Sequence, residues 1–140
     1  MAKEQTLCVI KPDALSSKSI GGILSLIEKT GFNILALKQL SLPFEEVKVF
    51  YAVHKEMSFY NSLVQFMSSG PIMAMVLEKD EAIADLRKLM GATDPKKAEP
   101  GSIRAVFGTD IERNAVHGSD SKASASVEIP FFFSMLELIK

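Results

Sequence analysis

The sequence predicts an α+β fold of the ferredoxin-like, split βαβ type: a four-stranded antiparallel sheet with helices packed on it. Three observations lead there. Short apolar, β-prone runs alternate with segments of helical period in the order strand, helix, strand, helices, strand, helix, loop, strand. The 140 residues make a one-domain length. No linker, repeat or low-complexity stretch divides them, so residues 1–140 are expected to form a single domain. Finally, 47% apolar and 24% charged residues describe a globular chain that can bury a core without disulfide staples.

Each element has a local reason. Thr6 to Ile10 is apolar and bounded by Lys11-Pro12-Asp13, a buried strand running into a turn. Ile20, Ile23, Leu24 and Ile27 recur at helical spacing, and Gly31 can supply a left-handed cap. Phe32 to Leu42 reads as a second strand with Ile34, Ala36, Lys38 and Leu40 on one face. Pro43 suits the first turn of a short helix carrying Phe44, Val47, Phe50 and Tyr51. Ser58 can cap a helix bearing Phe59, Leu63, Phe66 and Met67. Ile72 to Leu77 is a third, fully buried strand. Asp80 can cap a helix holding Ile83, Leu86 and Met90 inside, with Gly91 as its stop. Gly91 to Ile103 reads as a long surface loop, and loops of that length usually have a function or no order. A fourth strand is expected around Asn114 to His117. Ser121 to Val127 reads as a short helix closed by Pro130, and Phe131 to Leu138 as an apolar tail that must pack on something. The pattern places the helices on one face of the sheet.

Charge and cysteine content exclude some functions. Sixteen Lys and Arg against seventeen Asp and Glu give a formal net charge of -1, which offers no bulk attraction to nucleic acid or membrane. Cys8 is the only cysteine, so no internal disulfide forms; a reducing compartment fits, and the thiol sits in an apolar run that suggests burial. The amino terminus is polar, without the apolar stretch of a signal peptide, and no apolar run is long enough to cross a bilayer. A cytoplasmic location is expected.

The densest polar cluster is Arg113 to Asp120. His117 follows two apolar residues and precedes Gly118, a placement that can face an open cleft. Histidine is the one side chain whose ordinary pKa leaves a neutral, nucleophilic nitrogen near pH 7. Around it, Ser119 and Asp120 can hydrogen-bond or support a metal ion, and Asn114 can bind a ligand hydroxyl. Glu128 can return from a following helix to hold the ring tautomer. Phosphoryl transfer asks a protein mainly for positioning and positive charge. Lys11, Arg87 and Arg104 could supply that charge, although nothing in their spacing makes them converge. The sequence holds no glycine-rich phosphate cradle of either common kind and no pair of Cys and His at transition-metal spacing.

Asn114-Ala115-Val116-His117-Gly118-Ser119-Asp120 resembles the N-x-x-H-G-S-D signature of nucleoside diphosphate kinases. The likeness spans essentially the whole chain. It includes Thr6-Leu7, Ile10-Lys11-Pro12-Asp13-Ala14, Phe66-Met67, Ser69-Gly70-Pro71, Ala74 to Glu78, Gly91 to Pro95 and Pro100 to Arg104. Several such segments in the right order are far more specific than one. The resemblance implies ping-pong transfer of a γ-phosphoryl group from a nucleoside triphosphate to a diphosphate through Nδ1 of His117. It implies that Glu128 and Ser119 orient the imidazole. Lys11 and Tyr51 would face the transferring group, and Arg87, Thr93 and Arg104 would bind the other phosphates. Lys11 and Asn114 would also meet the sugar hydroxyls, and the base would lie between Phe59 and Ile111 with broad tolerance. Mg²⁺ would bridge the phosphates with Asp120 nearby, acting through water. A homo-oligomer follows from the same likeness, a tetramer in preference to a hexamer because the chain stops soon after Phe131-Phe132-Phe133.

Some positions depart from the family pattern. Val53 stands where an acidic residue is common, Met57-Ser58 where Arg-Pro often precedes paired aromatics, and Glu112 at a frequent glycine position. None removes a proposed catalytic group, so an ordinary mechanism with altered Michaelis constants is expected. Two rival readings compete with this one. One is a non-catalytic nucleotide-binding module on the same fold, against which stands the full set Lys11, Arg87, Thr93, Arg104, Asn114 and His117. The other is a nucleic-acid binder, against which stands the charge balance.

Overall fold

The computed structural model describes residues 3–139. Its sheet is built from β1 (Lys3–Ile10), β2 (Asn33–Leu40), β3 (Ile72–Asp80) and β4 (Val116–Gly118), in the spatial order β2-β3-β1-β4. Every pairing is antiparallel, with Val9 opposite Ala74 on one side and His117 on the other. The helices are α1 (Pro12–Ser16), α2 (Ile20–Lys29), α3 (Phe44–Phe50), α4 (Tyr60–Met67), α5 (Ala82–Met90), α6 (Ile103–Phe107) and α7 (Lys122–Phe132). Short 3₁₀ turns occupy Ala52–His54, Pro95–Lys97 and Met135–Glu137. The ferredoxin-like, split βαβ arrangement expected from the sequence is present.

Alternation along the central strands sorts the core into two clusters, one on each sheet face. Leu7, Val9, Ala74 and Val76 pack with Val47, Tyr51, Leu63, Val64, Met67 and Phe132. Cys8, Ile10, Met75 and Leu77 pack with Ile23, Ile27, Leu86, Met90 and Ile103. Helices therefore cover both faces. This corrects the one-face expectation and explains why Ile72 to Leu77 reads as a continuous apolar run. Each fully buried Ile or Leu contributes about 1.5–3 kcal/mol relative to exposure. Cys8 is buried as expected, and burial pushes its thiol up to about 12, which makes it an inert core residue.

Local details differ from the sequence expectation for identifiable reasons. A register shift between Ile34 and Ala36 on β2 inserts Leu35 as a bulge. Ile34 consequently packs with one cluster while Ala36 and Leu40 join the other. The bulge carbonyl, Leu35 O, accepts the N–H of Ile139 at 3.0 Å and ties the tail down. Strand β3 runs on to Asp80, so the cap of α5 is Glu81 at φ 55°, not Asp80. Helix α4 starts after Phe59 without a side-chain cap, so Ser58 does not cap it. Helix α7 continues through Pro130 to Phe132. Pro130 is exposed, and water can take the Ser126 carbonyl that its missing N–H leaves free. In the tail Phe132 and Phe133 are buried, whereas Met135, Leu136 and Ile139 stay exposed. Among the described residues no helix is long and apolar enough to cross a membrane.

Candidate functional site

The site forms where β1 and β4 end side by side. Strand β1 delivers Lys11 just beyond Ile10, and β4 delivers His117 opposite Val9. The 91–103 stretch is not structureless. Asp94 caps a 3₁₀ turn by accepting from Lys96 N at 3.0 Å, and Ser102 caps α6 by accepting from Ala105 N at 3.3 Å. That second cap fixes the helix carrying Arg104. Ser121 caps α7, accepting from Ser124 N at 3.0 Å, and α7 carries Glu128 back to β4. Gly118 lets β4 lie against α5, since a Cβ there would stand 2.8 Å from the Met90 sulfur.

His117 is aimed by a strained turn. Ala115 has φ 75°, and Val116 N–H donates to Asn114 O at 2.9 Å across it. A positive-φ γ-turn of this kind is rare and costly for a residue with a side chain. The His117 and Glu128 side chains are about one-fifth exposed. Nε2 of His117 lies 2.9 Å from Glu128 Oε1, and the same oxygen accepts from Ser119 Oγ at 3.0 Å. An ionised carboxylate only accepts, so Nε2 carries the hydrogen and Nδ1 keeps the lone pair. The rings of Phe50 and Tyr51 stand edge-on to the imidazole, at 5.3 and 5.7 Å between centroids.

The cleft beside His117 has a volume of about 310 Å³. Its lining includes Lys11, Tyr51, Phe59, Thr93, Arg104, Ile111, Asn114, His117 and Asp120, all named from sequence. Asn114 is its hub. Its amide donates to Thr93 O at 3.0 Å and Ile111 O at 2.9 Å, and its oxygen accepts from Lys11 Nζ at 2.9 Å. Only the second lone pair of that oxygen remains for a ligand hydroxyl. Lys11 is 6% exposed, and burial, with Arg104 nearby, lowers its pKa to about 8 against the opposing pull of Asp13 and Glu112. Arg104 is anchored through Nη1 to Gly91 O and through Nη2 to Val116 O; burial, then neighbouring Arg87, works against its charge. Two cations held half-desolvated in one cleft have more to gain from a polyphosphate than from water.

Phe59 and Ile111 are 43% and 63% exposed, so neither is plain core. Both line the cleft beside His117. The Tyr51 hydroxyl is buried without a protein partner, and burial followed by Glu128 pushes its pKa upward. Asp120 sits exposed at the edge, its carboxyl held low first by a hydrogen bond from Ser124 Oγ, 2.6 Å away. Arg87 is the exception: it is exposed on α5 and opens on a neighbouring depression beside Glu4, Asp120 and Lys122. The sequence reading did not place His54, Leu63, Glu112, Gly118 or Phe50 in the site. Leu63 was discoverable at i+4 from Phe59 on the same helix face; Gly118 lies in the signature around His117 and Glu112 is one of the departures from the family pattern, while nothing in local pattern marks His54 or Phe50.

A half-buried histidine with a carboxylate behind it and cations before it is the constellation of a phosphoryl-transfer site built on a nucleophilic imidazole. The nucleoside diphosphate kinase family profile matches residues 4–138. The chain is 51% identical to nucleoside diphosphate kinase of Persephonella marina over 140 residues, covering all of both chains. It is 54% identical to nucleoside diphosphate kinase 1 of Protochlamydia amoebophila over 138 residues, 99% of this chain and 98% of that one. It superposes on nucleoside diphosphate kinase of Aquifex aeolicus with a TM-score of 0.96 at 48% identity, covering 99% of this chain and 100% of that one. For the Halobacterium salinarum enzyme in complex with CDP the values are 0.95 and 37%, covering 99% and 93%. The chain belongs to the nucleoside diphosphate kinase family.

Proposed function

We propose that this chain, as one domain, interconverts nucleoside di- and triphosphates by carrying the phosphoryl group on Nδ1 of His117. The observation that carries the reading is the 2.9 Å contact from Glu128 to Nε2, which leaves Nδ1 as the nucleophile at the cleft. In the first half-reaction Nδ1 attacks the γ-phosphorus, the bond to the bridging oxygen breaks, and the nucleoside diphosphate leaves. In the second, a terminal oxygen of an acceptor diphosphate attacks the same phosphorus, and the P–N bond breaks. The imidazole returns to its starting tautomer. Lys11 and Tyr51 stabilise charge on the transferring group, while Arg104, Thr93 and, after reorientation of its exposed side chain, Arg87 hold the other phosphates. Asn114 and Lys11 receive the sugar.

Phe59 and Ile111 grip the base through its faces, and contact of that kind tolerates any base. A divalent cation fits the cleft edge, where the single carboxylate of Asp120 is ionised and exposed. Mg²⁺ is the natural choice because it keeps several waters and needs few protein ligands. When bound it neutralises phosphate charge. The exposed Met135, Leu136 and Ile139 support a homo-oligomer. The lone thiol, buried and unpaired, agrees with a cytoplasmic enzyme.

A pulse-chase experiment tests the reading. γ-labelled ATP should label the protein, and unlabelled GDP should then remove the label as GTP. A protein that binds nucleotide yet never acquires label would be a binding module and not a kinase.

A further inference from the structure

The peptide that aims His117 is gripped from both sides. Ala115 N–H donates to Asp13 Oδ2 at 3.1 Å, and Ala115 O accepts from Lys11 N–H at 2.8 Å. Both partners come from the β1–α1 corner, 102 residues away from Ala115 in the case of Asp13. Ala115 is fully buried at φ 75°, a conformation that its Cβ disfavours. One local hydrogen bond, from Val116 N–H to Asn114 O at 2.9 Å, closes the turn, and the two contacts from the β1–α1 corner add to it. The Lys11 bond is backbone to backbone and survives any substitution, so Asp13 is the only side chain in the grip.

We infer that Asp13 is a positioning residue: its carboxylate holds the strained Ala115 turn and so keeps Nδ1 of His117 in line with the phosphoryl group. The inference rests on His117 being the nucleophile. It differs from the roles of the cleft residues in that Asp13 does not line the cleft beside His117.

A double-mutant cycle tests it, read as the single-turnover rate of acid-labile labelling from γ-labelled ATP, beside nucleotide affinity. Asp13→Ala should slow labelling at least tenfold while the dissociation constant for ADP stays within about twofold. Asp13→Asn, whose amide oxygen can accept the same N–H, should restore most of the rate. In an Ala115→Gly background, where φ 75° carries no side-chain penalty, removing Asp13 should cost less than about threefold. If Asp13→Ala does not fold, its rescue by Ala115→Gly supports the inference, and failure of that rescue overturns it. Equal losses in both backgrounds, or a wild-type rate in Asp13→Ala, would also overturn it. Failure of the wild-type protein to acquire label on His117 would instead defeat the proposed function itself.

Discussion

Oε1 of Glu128 lies within 3.0 Å of both Ser119 Oγ and His117 Nε2. One oxygen thus sets the rotation and the tautomer of the imidazole together. In the proposed function Glu128 orients and does not react, so Glu128→Ala should lower kcat by roughly 10–100-fold, the scale on which second partners of a functional imidazole act. KM should hardly move. Steady-state kinetics check this; a loss as complete as that of His117→Ala would show that Glu128 does more than orient.

In the proposed function Lys11 links activity to pH. Burial favours its neutral form and brings its pKa to about 8. In the free enzyme the cation that meets phosphate is therefore lost through about pH 8, and kcat/KM should fall along an alkaline limb near that value. Lys11→Gln should be far less active and lack the limb. Stability runs the other way. The unfolded chain binds the proton more tightly than the folded one, so charged Lys11 opposes folding below pH 8, and that penalty fades as the pH rises from about 8 to above 10. A flat kcat/KM between pH 7 and 9.5 in the wild-type enzyme would contradict the assignment.

Arg104 has two duties. Its terminal nitrogens hold Gly91 O and Val116 O, and one N–H on each remains for phosphate. Arg104→Ala should lower kcat by roughly 10²–10³-fold, as removal of a preorganised charge does. It should also cost about 1–3 kcal/mol of stability through the lost backbone contacts. Thermal unfolding beside kinetics separates the two effects. Unchanged stability would mean that the anchoring contacts contribute nothing.

Glu112, one of the departures from the family pattern, lines the cleft with Phe59 and Ile111. Its Oε2 accepts from Ser62 Oγ at 2.7 Å, joining α4 to the loop that carries Ile111. Ser62→Ala and Glu112→Gly should each raise nucleotide KM by a few-fold, with little change in kcat, because the bond is exposed and modest. The double variant should be no worse than either single one. Additive effects would show that the two residues act separately.

Much of this architecture was legible in the sequence because period and punctuation carry it. Ile20 to Ile27 repeats at the helical interval, and Ile72 to Leu77 is apolar throughout because helices cover both faces of its strand. The errors fall where tertiary contact overrides local preference. Pro130 stays inside α7 because it faces water, and Leu35 bulges because the tail satisfies its carbonyl. Helix α1 was missed because five residues carry too little period to read. At the site, the motif around His117 marked the imidazole that lines the cleft. The convergence of Lys11, Arg104 and Asn114 could not be read from spacing, since it depends on β1 and β4 lying side by side. His54 and Phe50 reach the imidazole and its cleft only through the packing of α3 against the sheet.

The position of the phosphoryl group on the ring tests the central claim most directly. After brief reaction with ATP, the protein digested under alkaline conditions should yield one phosphorylated peptide, modified at His117 on Nδ1, and His117→Ala should yield none. Phosphate on Nε2, or undiminished labelling of His117→Ala, would contradict the account.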